Sequence, residues 1–441
     1  MPESSGSASR HLTMDLCLRI GELLLSNGAG AADVSATMQS VAQHLGMRAP
    51  VIDVTFTSLS MGYHAEAEQP PITLLRNVVH REIDYEDLSR VDHLVRSILN
   101  DEIDLRDARA TIARIAASPH RRKSYAVTLG WGTMCGGISL MLGGNWVVLV
   151  IAFLAGVSID RTIKFMERRR LPSFYQQVAG GLVATVIAVL ASTFDLGPEP
   201  ELVITANIVM LLSGIGFMGA LQDCLTGYYV TGAARLTEAL LSTAGIIAGV
   251  SGGLAVGRVL GVEVGQVDGT PGSLQSFAML ALGAAICAAA FSFASHAPKR
   301  TMLPIALIAL LAIITAGYIE QVGLGRTWGV ACGAFLVGLI GWPVSRLVKV
   351  PPLVVVVSGI VPMLPGLSIY RGLALLGEEV ARPGAGILAL ATALSVSLAL
   401  ASGVIFGEYV AQPVARGTRK LERRLTGPRL VGPLRPKVPR G

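Results

Sequence analysis

The stretch Val361-Pro362-Met363-Leu364-Pro365-Gly366 lies in the middle of an apolar run from Leu353 to Leu373. The run is long enough to cross a bilayer as a helix. Two prolines and a glycine remove helical hydrogen bonds at a depth where lipid offers no replacement. Such a backbone is tolerated in a membrane where protein or a water-filled cavity satisfies it. The stretch therefore predicts an interrupted transmembrane helix at a transport site, with a kink packed in protein as the alternative.

A second run repeats this pattern 152 positions earlier, with Val209 in the place of Val361. In this alignment Ser213-Gly214 falls opposite Pro365-Gly366. Paired interrupted helices in the two halves of a transporter indicate a substrate site where repeated units meet. We therefore predict that the substrate-binding residues include Ser213, Gly214, Pro362, Pro365 and Gly366.

The composition is that of a membrane protein. Of the 441 residues, 52% are hydrophobic and 15% are charged, whereas soluble domains carry about 25% charged residues. The apolar residues are concentrated after Lys123. Ten segments of near-bilayer length follow there: Tyr125–Leu142, Asn145–Ile159, Phe174–Phe194, Leu202–Leu221, Ala233–Val256, Leu274–Phe293, Met302–Ile319, Trp328–Pro343, Leu353–Leu373 and Gly386–Phe406.

The loop charges predict the orientation of these spans. With the N-terminus inside, the inner loops contain Arg161, Lys164, Arg168, Arg169, Arg170, Arg235, Lys299, Arg300, Arg346 and Lys349. The outer loops contain Asp195, Glu199, Glu201, Glu263 and Asp268. This distribution follows the positive-inside rule. Both termini of a multi-pass plasma-membrane protein are therefore predicted to be cytoplasmic, and no signal peptide is expected.

The chain divides into four parts on this reading. Residues 1–120 form a small soluble α/β domain, 121–256 the first membrane half, 257–410 the second half, and 411–441 a basic cytoplasmic tail that can contact anionic lipid. In the soluble domain we predict helices over Leu12–Asn27, Ala32–Leu45, Asp84–Leu99 and Leu105–Ala117, and strands over Val51–Tyr63 and Thr73–His80.

The relation between the two halves is ambiguous in the sequence. A second similarity aligns Trp146–Gly156 with Trp328–Gly338, at an offset of 182 rather than 152. Under the predicted topology the two offsets require opposite relative orientations, so both cannot belong to one simple duplication. We favour an inverted repeat of five spans each, because an odd number of spans forces inversion and transporters often use it.

Charged residues near the interrupted helices are candidates for the transport chemistry, because charges in spans are costly and usually functional. We assign proton coupling to Asp223 or Glu238, since burial can raise the pKa of a carboxylate toward neutrality. Arg235 or Arg371 would then hold a substrate carboxylate through two hydrogen bonds. Tyr370, next to Arg371, is also predicted to bind substrate, and Asn207 and Ser368 are weaker polar candidates. The alternative is that these are ordinary charges at span ends.

Enzyme chemistry finds little support. The sequence contains no HExxH, GxSxG, Walker A or Rossmann fingerprint, so no metal or other cofactor is predicted. The five cysteines lack paired spacing, which argues against a disulfide framework. A nucleic-acid role is disfavoured because no aromatic or groove-reading module accompanies the basic tail. A hydrolytic soluble domain remains a weak alternative, with the candidate residues Asp53, Thr55, Ser58 and His64.

Several motifs together resemble the threonine/serine exporter family over nearly the whole chain. The soluble domain carries the run Leu-Leu-Leu-Ser-Asn-Gly-Ala-Gly at 23–30, then Leu45-Gly46-Met47 and Thr55-Phe56-Thr57-Ser58. The first half matches a pattern at Leu211, Leu212, Gly214, Asp223, Gly227, Gly232 and Arg235. The second half matches one at Pro362, Leu364, Pro365, Gly366, Tyr370 and Arg371. Ser213 departs from the family, which commonly has proline there.

This resemblance implies ten spans in one chain and export of small hydroxy amino acids driven by the proton motive force. Two-component relatives are linked to export of dicarboxylates such as succinate, which makes a small carboxylate the alternative substrate. The family's N-terminal domain has been thought hydrolase-like and extracytosolic, whereas the loop charges here argue for the cytoplasm. A membrane-anchored enzyme or sensor is the third hypothesis. The expected partners are substrate, protons and lipid, with a homo-oligomer left open.

Overall fold

The computed structural model describes residues 3–64, 70–78, 81–118, 122–193, 200–211, 214–261, 274–377 and 383–414. The described residues form two compact units. The first contains the described parts of Met1–His120, Gly219–Arg235 and Gln412–Gly441, and the second those of Arg121–Met218 and Leu236–Ala411. Gly219–Arg235, which the sequence assigns to the first membrane half, thus belongs to the same compact unit as the N-terminal segment.

The N-terminal segment of the first unit combines four helices with a three-stranded antiparallel sheet of order β1-β2-β3. Its elements are α1 (Glu3–Ser26), α2 (Ala31–His44), β1 (Val51–Val54), β2 (Ser58–Tyr63), β3 (Ile72–Asn77), α3 (Tyr85–Leu99) and α4 (Leu105–Ala117). The prediction of one strand over Val51–Tyr63 is wrong, because a turn divides it. In that turn the amide of Thr55 donates to the Ser58 carbonyl over 2.9 Å, and the two hydroxyls lie 2.8 Å apart.

Local signals determine where the helices of this unit begin. Asp84 caps α3 by accepting from the amides of Glu86 and Asp87, and Asp104 caps α4 by accepting from the amide of Asp107. The turn between α1 and α2 contains Gly28 at φ +93°, a conformation that favours glycine. The helices and sheet enclose a core that includes Met14, Ile20, Met38, Leu59, Met61, Ile98 and Ile112, each at most 2% exposed.

Beyond residue 121 the described chain is helical. Its helices are α5 (Ser124–Met141), α6 (Trp146–Arg168), α7 (Ser173–Thr193), α8 (Pro200–Leu211), α9 (Gly214–Leu225), α10 (Tyr229–Val259), α11 (Leu274–Ala294), α12 (Met302–Ile319), α13 (Arg326–Leu347), α14 (Pro352–Ile360), α15 (Gly366–Gly377) and α16 (Pro383–Val414). A π-helical turn, Glu320–Leu324, precedes α13. Residues 219–225 of α9 and 229–235 of α10 lie in the first unit.

The protein is a multi-pass helical membrane protein. Among the described residues, seven helices are long and apolar enough to cross a bilayer, or nine if each of two bent helix pairs is one span. The bent pairs are α8 with α9 and α14 with α15. The predicted span Tyr125–Leu142 corresponds to α5, which is not among these nine. The count of ten spans therefore stays a prediction.

Within the second unit the helices pack in a recurring order. α5 packs on α6, α6 on α7 and α7 on α8, while α11 packs on α12, α12 on α13 and α13 on α14. The two series are joined by close packing of α5 against α11. Glycines permit this approach, because a Cβ atom on Gly283 would lie only 2.6 Å from the carbonyl oxygen of Gly137.

Candidate functional site

The helix interruption predicted around Pro362 and Pro365 is confirmed. α14 ends at Ile360, one 3-10 turn covers Val361–Met363, and α15 begins at Gly366 with its axis bent by 48°. Leu364 between them is extended, at φ −60° and ψ 136°, as expected for a residue that precedes proline. Pro365 and Gly366 are buried and Pro362 is half-buried. The interruption thus follows directly from the two prolines.

The first interruption lies next to the second. α8 ends at Leu211 and α9 begins at Gly214, while Leu212 and the predicted site residue Ser213 lie outside the described residues. Gly214 is buried, and a Cβ atom built on it would lie 3.1 Å from the Cβ of Leu364. Because Gly214 and Leu364 belong to the two different interruptions, the ends of both broken helices are in contact.

Each broken helix carries a buried polar atom with no hydrogen-bond partner among the described residues. Asn207 on α8 is fully buried, and its Nδ2 donates to the Val203 carbonyl over 2.9 Å while its Oδ1 has no partner. Ser358 on α14 is equally buried, and its Oγ has no partner. A buried polar group left unsatisfied costs about 1–3 kcal/mol. Both atoms are therefore suited to bind water or a polar ligand.

Sequence reasoning considered Asn207 but missed Ser358. The only signal for Ser358 is a hydroxyl within the apolar run of α14, and such a lone serine is more often a structural residue. Its complete burial without a partner is visible only in the three-dimensional structure.

Tyr370 and Arg371 follow the second interruption on α15. Tyr370 is half-buried and packs against an apolar cluster that includes Leu202, Ile208 and Leu211 of α8. Side chains of successive residues on a helix point about 100° apart. Arg371, the residue after the half-buried Tyr370, is accordingly exposed. The second broken helix therefore contacts the first, because α15 also packs on α8.

Asp223 and Arg235 form an ion pair with each other in the first unit. Arg235 Nη1 lies 2.9 Å from Asp223 Oδ2, and Asp223 is 1% exposed. Asp223 Oδ1 accepts a 2.9 Å hydrogen bond from the amide of Ala31, the first residue of α2. Arg235 Nη2 donates to the carbonyl of Ala29 over 3.0 Å. The pair thus holds the turn between α1 and α2, with the carboxylate at a favourable helix N-terminus.

The start of α10 also contacts the sheet of the first unit. Thr231 on α10 donates through Oγ1 to the carbonyl of Val54 on β1 over 3.0 Å. Asp223 Oδ2 accepts no hydrogen bond of good geometry among the described residues, so the charge of Arg235 is its main stabilising interaction. Glu238 lies three residues after Arg235 on α10, with its side chain exposed.

The described residues offer no group of three or more His, Cys, Asp or Glu side chains that could hold a metal ion. Two of the polar residues considered for a hydrolytic site have a local structural role. Thr55 and Ser58 bond to each other in the turn between β1 and β2, and Asp53 lies on β1 opposite Ser60 of β2. This geometry supports a turn better than a catalytic site.

Comparisons with known proteins agree along the length of the chain. A family model described as "Putative threonine/serine exporter" matches residues 15–257. A second, described as "Threonine/Serine exporter, ThrE", matches residues 280–410. No solved structure matches the chain.

Individual relatives are similar over different lengths. A probable threonine/serine exporter of Mycobacterium tuberculosis is 34% identical over 417 residues, which cover 92% of this chain and 78% of that protein. A threonine/serine exporter of Corynebacterium glutamicum is 33% identical over 414 residues, covering 92% and 84%. A probable succinate transporter subunit, YjjP of Escherichia coli, is 23% identical over 236 residues, covering 53% of this chain and 91% of that protein.

Proposed function

Because the chain belongs to the threonine/serine exporter family, we propose that it exports threonine and serine across the plasma membrane by alternating access, driven by the proton motive force. The single observation that carries this proposal is the contact between the two helix interruptions, at Gly214 and Leu364. Interrupted helices bring backbone polar groups to the interior of a membrane protein, where they can replace the hydration shell of a small polar substrate. Because the two interruptions are in contact, we propose that they form one shared substrate site.

The unpartnered polar groups on the two interrupted helices suit a hydroxy amino acid. Asn207 Oδ1 accepts from an ammonium group, and Ser358 Oγ can donate to or accept from a hydroxyl. Arg371 is our candidate for the substrate carboxylate, because it follows the second interruption directly on α15. Arg235 is engaged by Asp223 and Ala29. Ser213, Gly214, Pro362, Pro365 and Gly366 would shape the backbone of the site, and Tyr370 would form part of its apolar wall.

Proton coupling is assigned to the Asp223–Arg235 pair, with Glu238 as the second candidate. A proton on Asp223 Oδ2 would cancel the charge that holds Arg235 Nη1 at 2.9 Å. It would therefore weaken the attachment of Arg235 to the turn between α1 and α2. Protonation of Asp223 would thus loosen the contact between α10 and the turn between α1 and α2. A switch requires such a link between a local charge change and a structural change.

The architecture proposed for this function is ten spans in two inverted halves. The recurring packing order supports the 152-residue offset, because it pairs α5 to α8 with α11 to α14 and so relates the two interrupted helices. The similarity at Trp146 and Trp328 does not fit that relation, since Trp146 lies on α6 and Trp328 on α13. We therefore regard the second similarity as incidental.

Transport by purified protein in proteoliposomes tests the function. We expect efflux of labelled threonine and serine that rises when a pH gradient is imposed and that unlabelled substrate competes away. Gradient-driven flux of succinate without threonine flux would favour the dicarboxylate alternative, toward which the similarity to a succinate transporter subunit points. Absence of flux for all three compounds would contradict both exporter hypotheses and favour an enzyme or sensor.

The proposed orientation predicts which reagents reach the two faces. In a variant without native cysteines, a cysteine replacing Ser5 should react with a membrane-impermeant maleimide only in inside-out vesicles. A cysteine replacing Asp268 should react only from the outer face of intact cells. The opposite pattern would contradict the proposed cytoplasmic location of the N-terminal domain, which rests on the loop charges.

A further inference from the structure

A cavity of about 370 Å³ lies in the first unit between α1, the end of β3 and α4. Its lining residues are Arg19, Glu22, Leu23 and Ser26 from α1, Arg76 and Val78 from the β3 segment, and Ile112 and Ala116 from α4. The four residues of α1 are spaced so that they share one helix face. The volume lies within the range of about 300–1,000 Å³ that is usual for small-molecule sites. The cavity contains none of the residues proposed to bind or couple the transported substrate.

The wall of the cavity belongs to a charge network with one excess positive charge. Arg76 bonds to Glu22 and lies 3.5 Å from Asp15. Asp15 also accepts from Arg19 at 3.1 Å and from Arg109 at 2.9 Å. Burial raises the pKa of Asp15, but its hydrogen bonds to Arg109 and Arg19 outweigh this effect and hold that pKa below its usual value. Three guanidinium groups, those of Arg19, Arg76 and Arg109, therefore face the two carboxyl groups of Asp15 and Glu22.

The cavity offers hydrogen-bonding groups that the network does not use. Arg19 bonds to Asp15 through Nε alone, which leaves both of its Nη atoms without a partner among the described residues. Ser26 donates its hydroxyl hydrogen to the Leu23 carbonyl over 3.1 Å, so its oxygen can still accept a hydrogen bond. Guanidinium, carboxylate and hydroxyl groups thus lie around a partly apolar pocket.

We propose that this cavity is a second binding site, outside the transport path, for a small α-amino acid in its zwitterionic form. Arg19, assisted by Arg76, would bind the ligand carboxylate through charge-assisted hydrogen bonds. Glu22 would accept from the ammonium group, and Ser26 from a side-chain hydroxyl. A short ligand side chain would pack on the apolar residues Leu23, Val78 and Ala116. Such a site would let the N-terminal domain respond to the amino-acid concentration on its own side of the membrane.

Hydrogen exchange of the full-length protein in detergent tests this site with threonine as the probe. We expect slower exchange in peptides from α1, β3 and α4, by about tenfold at a threonine concentration ten times the dissociation constant. Threonine amide, which lacks the carboxylate, and 3-hydroxybutyrate, which lacks the ammonium group, should give no such protection. Protection by 3-hydroxybutyrate equal to that by threonine would overturn the assignment to a zwitterion.

A matched pair of substitutions on α4 tests whether threonine binds in this cavity. Ala116 lines the cavity whereas Ala113 does not, and both are exposed, so neither Ala116→Leu nor Ala113→Leu should unfold the helix. We expect Ala116→Leu to abolish the protection and Ala113→Leu to retain it. Absence of protection in the wild-type protein, or protection that survives Ala116→Leu, would overturn the proposal. Flux assays on the same preparation test the transport function separately. A negative result for the second binding site therefore does not contradict the proposed transport, and a negative flux result does not contradict the second site.

Discussion

Replacement of Gly214 by valine is expected to lower threonine flux about ten- to a hundredfold. A Cβ atom at this position would lie 3.1 Å from the Cβ and 3.3 Å from the Cδ1 of Leu364, so a branched side chain must force the two helix interruptions apart. Overpacking of this kind costs about 1–3 kcal/mol, and each 1.4 kcal/mol added to a barrier is tenfold in rate. Flux in proteoliposomes, normalised to folded protein, is the measurement.

Gly252→Val is the matched control for this substitution. Gly252 is an exposed residue of α10, and the nearest atom to a Cβ built there is the Leu182 Cδ1 at 3.8 Å, an ordinary contact. We expect this variant to transport at close to the wild-type rate. If Gly214→Val does not fold, Gly214→Ala should give a smaller loss of flux, since Leu364 must then shift by only a few tenths of an ångström. Equal flux in the Gly214 and Gly252 variants would contradict a role for the contact.

Replacement of Arg235 by glutamine is expected to destabilise the protein by about 3–5 kcal/mol and to abolish flux. The change leaves the Asp223 carboxylate at 1% exposure without its countercharge, which is the costly way to break a buried ion pair. The double variant Asp223→Asn/Arg235→Gln should regain most of the stability, because no charge is left unpaired. It should not regain flux that depends on the pH gradient. Thermal unfolding and gradient-driven flux are the two measurements.

The pair formed by Asp160 and Lys164 serves as the control for this experiment. Its side chains are 2.8 Å apart, and Asp160 is 6% exposed, so the double variant Asp160→Asn/Lys164→Gln removes a pair of comparable carboxylate burial elsewhere. We expect this variant to keep its response to the pH gradient. Gradient-driven flux that persists in Asp223→Asn/Arg235→Gln would assign that pair a structural role only.

The parts of the fold that local chemistry encodes could be predicted from the sequence. The prolines at 362 and 365 interrupt a helix wherever they occur in an apolar run, so the bend after α14 was predictable. The turn between β1 and β2 was not, because it contains neither glycine nor proline and depends on hydrogen bonds between Thr55 and Ser58. The alternating residues of Val51–Tyr63 look the same for one strand as for two.

The candidate site was predictable only in part, because its partners are distant in sequence. Asp223 and Arg235 are recognisable in the sequence as charges near an apolar segment. The amide that donates a hydrogen bond to Asp223, however, belongs to Ala31, 192 positions away. No local pattern encodes that contact. The similarity of the two segments indicated that Gly214 and Leu364 would lie close together, since repeated helices often meet at a shared site. The unpartnered hydroxyl of Ser358 required the three-dimensional structure.

The central claim is that threonine binds where the two interrupted helices meet, and labelling of one thiol tests it most directly. Ser358 is fully buried, so a thiol there reacts only in the transport state that opens the site to water. Ser358→Cys is nearly isosteric, so in a background without native cysteines this variant should retain measurable flux. Threonine at ten times its dissociation constant should slow the reaction of Cys at that position with N-ethylmaleimide about tenfold. A variant that retains only Cys332, on α13, should react at the same rate with and without threonine. Identical labelling rates at position 358 with and without threonine, in a protein that transports, would contradict the account.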